Sequence, residues 1–164
     1  MNLFPWLLWI HIFGAIVAFG PTFAFPLIGG MGGKEPMHAN FATRITEKIE
    51  RRITLPLAVL QGITGLSLLL VSGRNLTVST NYWLDVAIVF YAIALSFSIF
   101  VQLGRVEKVI HMTSTPPPPP VPGAAPSGPP PELLAAIKAI RQGGTLLTVL
   151  VVSIIFLMVV KPGS

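Results

Sequence analysis

At 164 residues, 52% hydrophobic and 10% charged, the chain carries too few charges to cover a soluble surface, so lipid must be its solvent. Its net charge of +5 does not indicate nucleic acid, because no basic stripe is interleaved with aromatics. The lack of cysteine excludes disulfides, thiolate metal sites, a cysteine nucleophile and covalent haem attachment.

Four stretches contain no Asp, Glu, Lys or Arg: residues 1–33, 53–73, 86–104 and 142–160. A hydrocarbon core of ~30 Å takes about 20 helical residues. The expected fold is therefore all-α. It is an integral membrane four-helix bundle forming a single domain, with a short amphipathic helix on the cytoplasmic side.

The first span is predicted over 3–28. A cleavable signal has a basic start and an apolar core of about 7–15 residues. Here no basic residue precedes Lys34, and a retained helix is expected. Trp6 and Trp9 open it as an interfacial belt. His11, Gly14, Ala15, Ala18 and Thr22 fall on one face, and Pro21 and Pro26 should loosen the inner half. The run Gly29-Gly30-Met31-Gly32-Gly33-Lys34 superficially suggests a phosphate loop. Ile28 stands where the first Gly belongs and Glu35 where the hydroxyl belongs, so a turn ending the span is expected.

Residues 36–52 read as an amphipathic helix. Met37, Phe41, Ile45 and Ile49 recur at i+4, and charges fill the other faces. Glu47 and Arg51 form a favourable i,i+4 pair. The simplest reading is a cytoplasmic extension of the next span or a helix on the inner leaflet. A partner-docking helix is the alternative. The second span, 53–72, places Thr54, Ala58, Gln61, Gly65 and Ser72 on its small, polar face.

Tyr82 and Trp83 open the third span, 82–104. It offers two candidate inner faces: Asp85, Val89, Ala92 and Ser96, or Ala87, Tyr91, Ala94, Ser98 and Gln102. Residues 116–131 hold ten prolines, a polyproline II or disordered tether that could reach roughly 50 Å or serve an aromatic-lined groove. Glu132–Arg141 reads as a short helix closed by Gly143-Gly144. The fourth span, 143–160, has Thr145 and Thr148 but is otherwise mostly Val, Leu and Ile. It is expected at the periphery, against lipid or another subunit.

Nine basic residues lie in the two long loops, and only Arg74 and Lys161 on the other side. Lys and Arg are retained in the cytoplasm, so both termini are expected outside, in a bacterial inner membrane.

His11 is the leading candidate for chemistry. An ionisable group in a membrane usually faces the interior or water. Two residues past Trp9, it is expected about 3–8 Å from the outer interface. A neutral histidine hydrogen-bonded to a neighbouring helix is the plain reading. An axial ligand to haem b or a metal is the sharper one. His38 and His111 belong to the opposite side. Met158, or His11 of a second copy, could match its depth as a second ligand. Asp85, two residues past Trp83, also matches. A His11–Asp85 pair could carry a proton, hold a divalent ion, or pin the first span to the third. No Ser/His/Asp set, paired carboxylates or HExxH motif accompanies it.

Leu8-Trp9-Ile10-His11-Ile12-Phe13-Gly14-Ala15 with Phe19-Gly20, then Ile49-Glu50-Arg51-Arg52-Ile53-Thr54-Leu55-Pro56, Thr64-Gly65-Leu66 and Tyr82-Trp83-Leu84 carry a family likeness. The chain resembles small bacterial four-helix proteins described only as predicted integral membrane proteins of unknown function. It is more loosely similar to copper-resistance D-like and protoporphyrinogen oxidase J-like membrane proteins. In the latter, a first-helix histidine is linked with haem, and His11 maps onto it. The lysine that family uses in its third helix has no counterpart here. The copper-type families carry further membrane His or Met residues that are mostly missing here.

Together these features lead to a non-enzymatic polytopic inner-membrane protein, an accessory subunit packing against membrane partners or its own copies. A haem- or metal-binding redox protein centred on His11 is the alternative. Transport is disfavoured, because midplane polar groups are limited to small hydroxyls and Gln61.

Overall fold

The structure is a computed structural model, and it describes residues 3–73, 76, 81–114 and 128–163. Four long helices dominate: α1 (Phe4–Lys34), α2 (Ala39–Ser72), α3 (Tyr82–Met112) and α4 (Pro131–Val160). Each has 30–34 residues, or about 45–50 Å at ~1.5 Å per residue. That exceeds a hydrocarbon core of ~30 Å, so every helix projects beyond it.

The extra length bears on three expectations. The glycine run does not end the first span, because α1 stays helical to Lys34. The reason is close approach: a Cβ on Gly32 would lie 2.9 Å from Ala42 Cβ and 3.3 Å from Ala39 Cα. Secondly, the amphipathic segment is the expected extension of the second span and not a helix lying apart from it. A 3-10 turn at Pro36–His38 leads into α2, which continues unbroken into the second span. Thirdly, Gly143-Gly144 does not close a short helix, since α4 runs straight through it. A Cβ on Gly143 would stand 2.0 Å from Gln102 Oε1, so this glycine makes room for a neighbour's amide. The third span also runs beyond 104, to Met112. Of the proline-rich segment, 116–127 lies outside the described residues, as does Arg74.

Local irregularities sit where backbone bonding is perturbed. Pro21 lacks an amide donor, and α1 tightens to 3-10 geometry over Gly20–Ala24. In α2 and α3 a π-helical turn is inserted, at Glu50–Thr54 and Ser98–Gln102.

The helices pack in chain order, α1 on α2, α2 on α3, and α3 on α4. Between α2 and α3 the contact is chiefly between inner halves. Among the described residues α1 and α4 make no extensive contact, so the bundle stays open on that side. Cross-helix contacts set the register. His11 meets Thr64, Tyr91 meets Ala58, and Lys161 Nζ lies 5.8 Å from the centre of the Trp83 ring. Followed from helix to helix, this register puts Trp9, Trp83 and Lys161 at one level.

The interior is thin and half polar. Its apolar members are Ala18, Ala42, Ala58, Trp83, Ala87, Val109 and Leu150; Thr54, Gln61, Thr64, Asn81, Ser98 and Gln102 are also buried. Large apolar side chains point out, with Phe100 81% exposed and Leu27 71%. Lipid tails are as apolar as leucine and do not drive helices together, so small residues and hydrogen bonds fill the seams. Of the two faces of α3, Ala87, Tyr91, Ala94, Ser98 and Gln102 turn inward. Val89, Ala92 and Ser96 are exposed. On α4, Thr145 and Thr148 are also exposed and bond to their own helix backbone.

Candidate functional site

Polar side chains form a seam along the inner faces of α1, α2 and α3. At its outer end His11 Nδ1 lies 2.8 Å from Thr64 Oγ1. The Thr64 hydroxyl is also 3.0 Å from the Leu60 carbonyl, one turn back on its own helix. According to the imidazole tautomer, the Thr64 hydroxyl accepts from His11 Nδ1–H while donating to that carbonyl, or donates to Nδ1 itself. Gln61 Nε2 donates to the His11 backbone carbonyl at 2.7 Å.

Two glycines line these contacts, and Gly65 is at the tighter one. A Cβ on Gly65 would come 3.3 Å from His11 Cε1, and one on Gly14 would come 3.5 Å from Gln61 Nε2. Each helix thus presents a glycine to the other's polar side chain. The plain reading of His11, a neutral histidine bonded to a neighbouring helix, describes this geometry. Gln61 was legible as an inner-face residue, whereas Thr64 as the partner of His11 was not. Thr64 lies one turn from Leu60 among apolar neighbours, and only the α1–α2 register singles it out.

Asp85 is half-buried near the outer end of α3 and joins His11 by neither hydrogen bond nor ion pair among the described residues. The expected His11–Asp85 link is replaced by His11–Thr64, because α2 lies between α1 and α3. Met158 is half-buried on α4, and α4 does not pack on α1. His11 therefore stands apart from both proposed co-ligands. Among the described residues no three His, Asp or Glu side chains are gathered as a metal would need. The fit to haem is one-sided: a single imidazole whose Nδ1 bonds Thr64 and whose Nε2 makes no hydrogen bond among the described residues.

The seam holds a second feature that sequence reading missed. Ser98 Oγ donates to Glu50 Oε1 at 2.6 Å. Glu50 looked like part of the charged face of a cytoplasmic helix. The α2–α3 register instead sets it level with Ser98, inside the uncharged stretch 86–104. Glu50 and Ser98 are the first residues of the two π-helical turns. Such turns frequently occur at functional sites, and an ionisable group at this depth is costly to keep. Inward of it, Arg51 bonds Glu47 at 2.6 Å and also pairs with Glu107 of α3.

Two more bonds close the helix seams. Tyr91 OH donates to the Ala58 carbonyl at 2.9 Å, where Gly62 leaves space for the phenol. Gln102 Nε2 donates to the Ile140 carbonyl at 3.0 Å, which joins α3 to α4.

Four apolar helices sealed by small residues and sparse hydrogen bonds define an integral membrane protein with four spans. The chain belongs to the family described as "Predicted integral membrane protein (DUF2269)", whose model matches residues 5–162. No curated protein and no solved structure matches it.

The His11–Thr64 bond has a measurable consequence. Thr64→Val keeps the shape and removes the hydroxyl. A double-mutant cycle with His11→Ala in detergent should return a coupling of about 0.5–1.5 kcal/mol. Additive effects would show that the bond contributes nothing to holding α1 on α2.

Proposed function

We propose that this protein is a non-enzymatic accessory subunit of the bacterial inner membrane, with both termini outside, which works by packing against another membrane protein or its own copies. The observation that carries the reading is the second small face of α3. Ala92 and Ser96 are exposed one turn apart, half-buried Asp85 and exposed Val89 share their side, and no helix among the described residues covers them. Small residues on a membrane helix let a second backbone approach closely, and that contact is what holds membrane helices together. The open side between α1 and α4 adds a second place for a neighbour.

Extraction from native membranes in mild detergent, followed by mass measurement, tests this. The wild type should run as a complex or oligomer. Ala92→Leu/Ser96→Leu should shift it toward the monomer. A monodisperse, partner-free wild-type monomer overturns the reading.

One observation favours the alternative, a haem- or metal-binding redox protein. Thr64 holds His11 through Nδ1, and Nε2 makes no hydrogen bond among the described residues. Haem, when bound, would supply one-electron chemistry, and His11 would hold it. A reduced-minus-oxidised absorption spectrum of the same preparation, alongside His11→Ala, decides this. A haem band lost in the variant supports it, and no band after haem-replete expression rejects it.

A further inference from the structure

We infer that the groove between the inner ends of α3 and α4 is a binding site for one anionic phospholipid of the inner leaflet. The groove encloses about 520 Å³ and is lined by Arg105, Lys108, Glu132, Ala135, Ala136 and Ala139. Its depth is that of lipid headgroups. Arg105 stands 22 residues beyond Trp83 in the outer belt, about 33 Å along the helix against a hydrocarbon core of ~30 Å.

The chemistry of the walls matches one kind of occupant. Arg105 is held in place, with its guanidinium donating to the Ala139 carbonyl at 3.1 Å and lying 5.5 Å from the centre of the Phe97 ring. No carboxylate pairs with Arg105 or Lys108 among the described residues. A guanidinium bonded only to a carbonyl keeps its full charge and its remaining donors for a phosphate. With Glu132 at the rim, the groove carries one net positive charge. A singly charged phosphodiester balances it. Ala139 lies level with Arg105, and Ala135 and Ala136 stand about one turn further from the bilayer centre, so the three alanines leave room for a headgroup between the two helices. Basic pockets between membrane helices on the cytoplasmic side take acidic headgroups in this way.

The test uses the full chain in detergent, with phosphatidylglycerol or phosphatidylcholine added and bound lipid counted by native mass spectrometry. The site should saturate at one phosphatidylglycerol per chain and prefer it to phosphatidylcholine. Lys108→Gln should weaken binding about fivefold, and Arg105→Gln at least as much. Arg52→Gln removes an exposed charge on α2 and should leave binding unchanged. Because Arg105 also braces α4, Lys108→Gln carries the test if Arg105→Gln unfolds. Equal binding of both lipids, or equal loss in all three variants, overturns the proposal. So does inorganic phosphate displacing the lipid at equal concentration, which would make the groove a site for a soluble anion.

Discussion

Gly32→Val is expected to lower the stability of the detergent-solubilised protein by about 1–3 kcal/mol, read as a fall in its unfolding midpoint. The added Cβ alone would meet Ala42 Cβ at 2.9 Å and the α2 backbone at Ala39. Neither contact is the end of a flexible side chain, so the inner ends of α1 and α2 must part. Gly33→Val, one residue on, is the control. Nothing lies within 4 Å of its added Cβ, and it should be neutral or slightly stabilising. Equal losses in the two variants would mean that the α1–α2 register is wrong at this end.

The second large effect concerns Glu50, and its sign is unusual. Ser98→Ala should destabilise by about 1–3 kcal/mol, because it leaves the carboxyl at membrane depth without its donor. Glu50→Leu should be neutral or stabilising, since it removes a polar group that is costly to hold there. The double variant Glu50→Leu/Ser98→Ala should recover most of what Ser98→Ala loses. Unfolding midpoints for the four proteins decide the matter. A harmless Ser98→Ala would show that water already solvates Glu50. A carboxyl whose removal does not harm the fold is kept for something other than stability.

The four spans and their inner residues were legible because lipid imposes a simple rule. Uncharged runs of about 20 residues cross, and the small or polar stripe on each run faces its neighbours. Gly14 and Ala18 of α1, and Thr54, Ala58 and Gln61 of α2, are all buried as that stripe requires. The rule did not choose between the two faces of α3, because both carry small and polar residues. Nor did it find the helix ends. A glycine run and a Gly-Gly pair read as breaks, since glycine weakens a helix by about 1 kcal/mol relative to alanine. In the fold they are the points where Ala42 and Gln102 press closest.

The site followed the same division. His11 and Gln61 were visible by type, as polar groups among apolar neighbours. Their partners were not, because a hydrogen bond between helices depends on register, and register is absent from any one helix. Depth alone paired His11 with Asp85, whereas the bond that His11 makes is to Thr64 of α2, the helix packed on α1. Glu50 shows this most plainly. Its neighbours in sequence are Arg51 and Arg52, whose side chains are exposed, while its neighbour in space is Ser98, inside the uncharged stretch of α3.

The sequence by itself determined that this protein lies in a bilayer, crosses it with four helices and has few places for chemistry. Those properties rest on the composition of single segments against a solvent of known thickness. The tertiary structure alone decided which helix meets which, that His11 bonds Thr64, and that Glu50 is drawn to the depth of the uncharged stretch of α3. Those outcomes depend on how side chains of different helices interlock, and no segment carries that information alone.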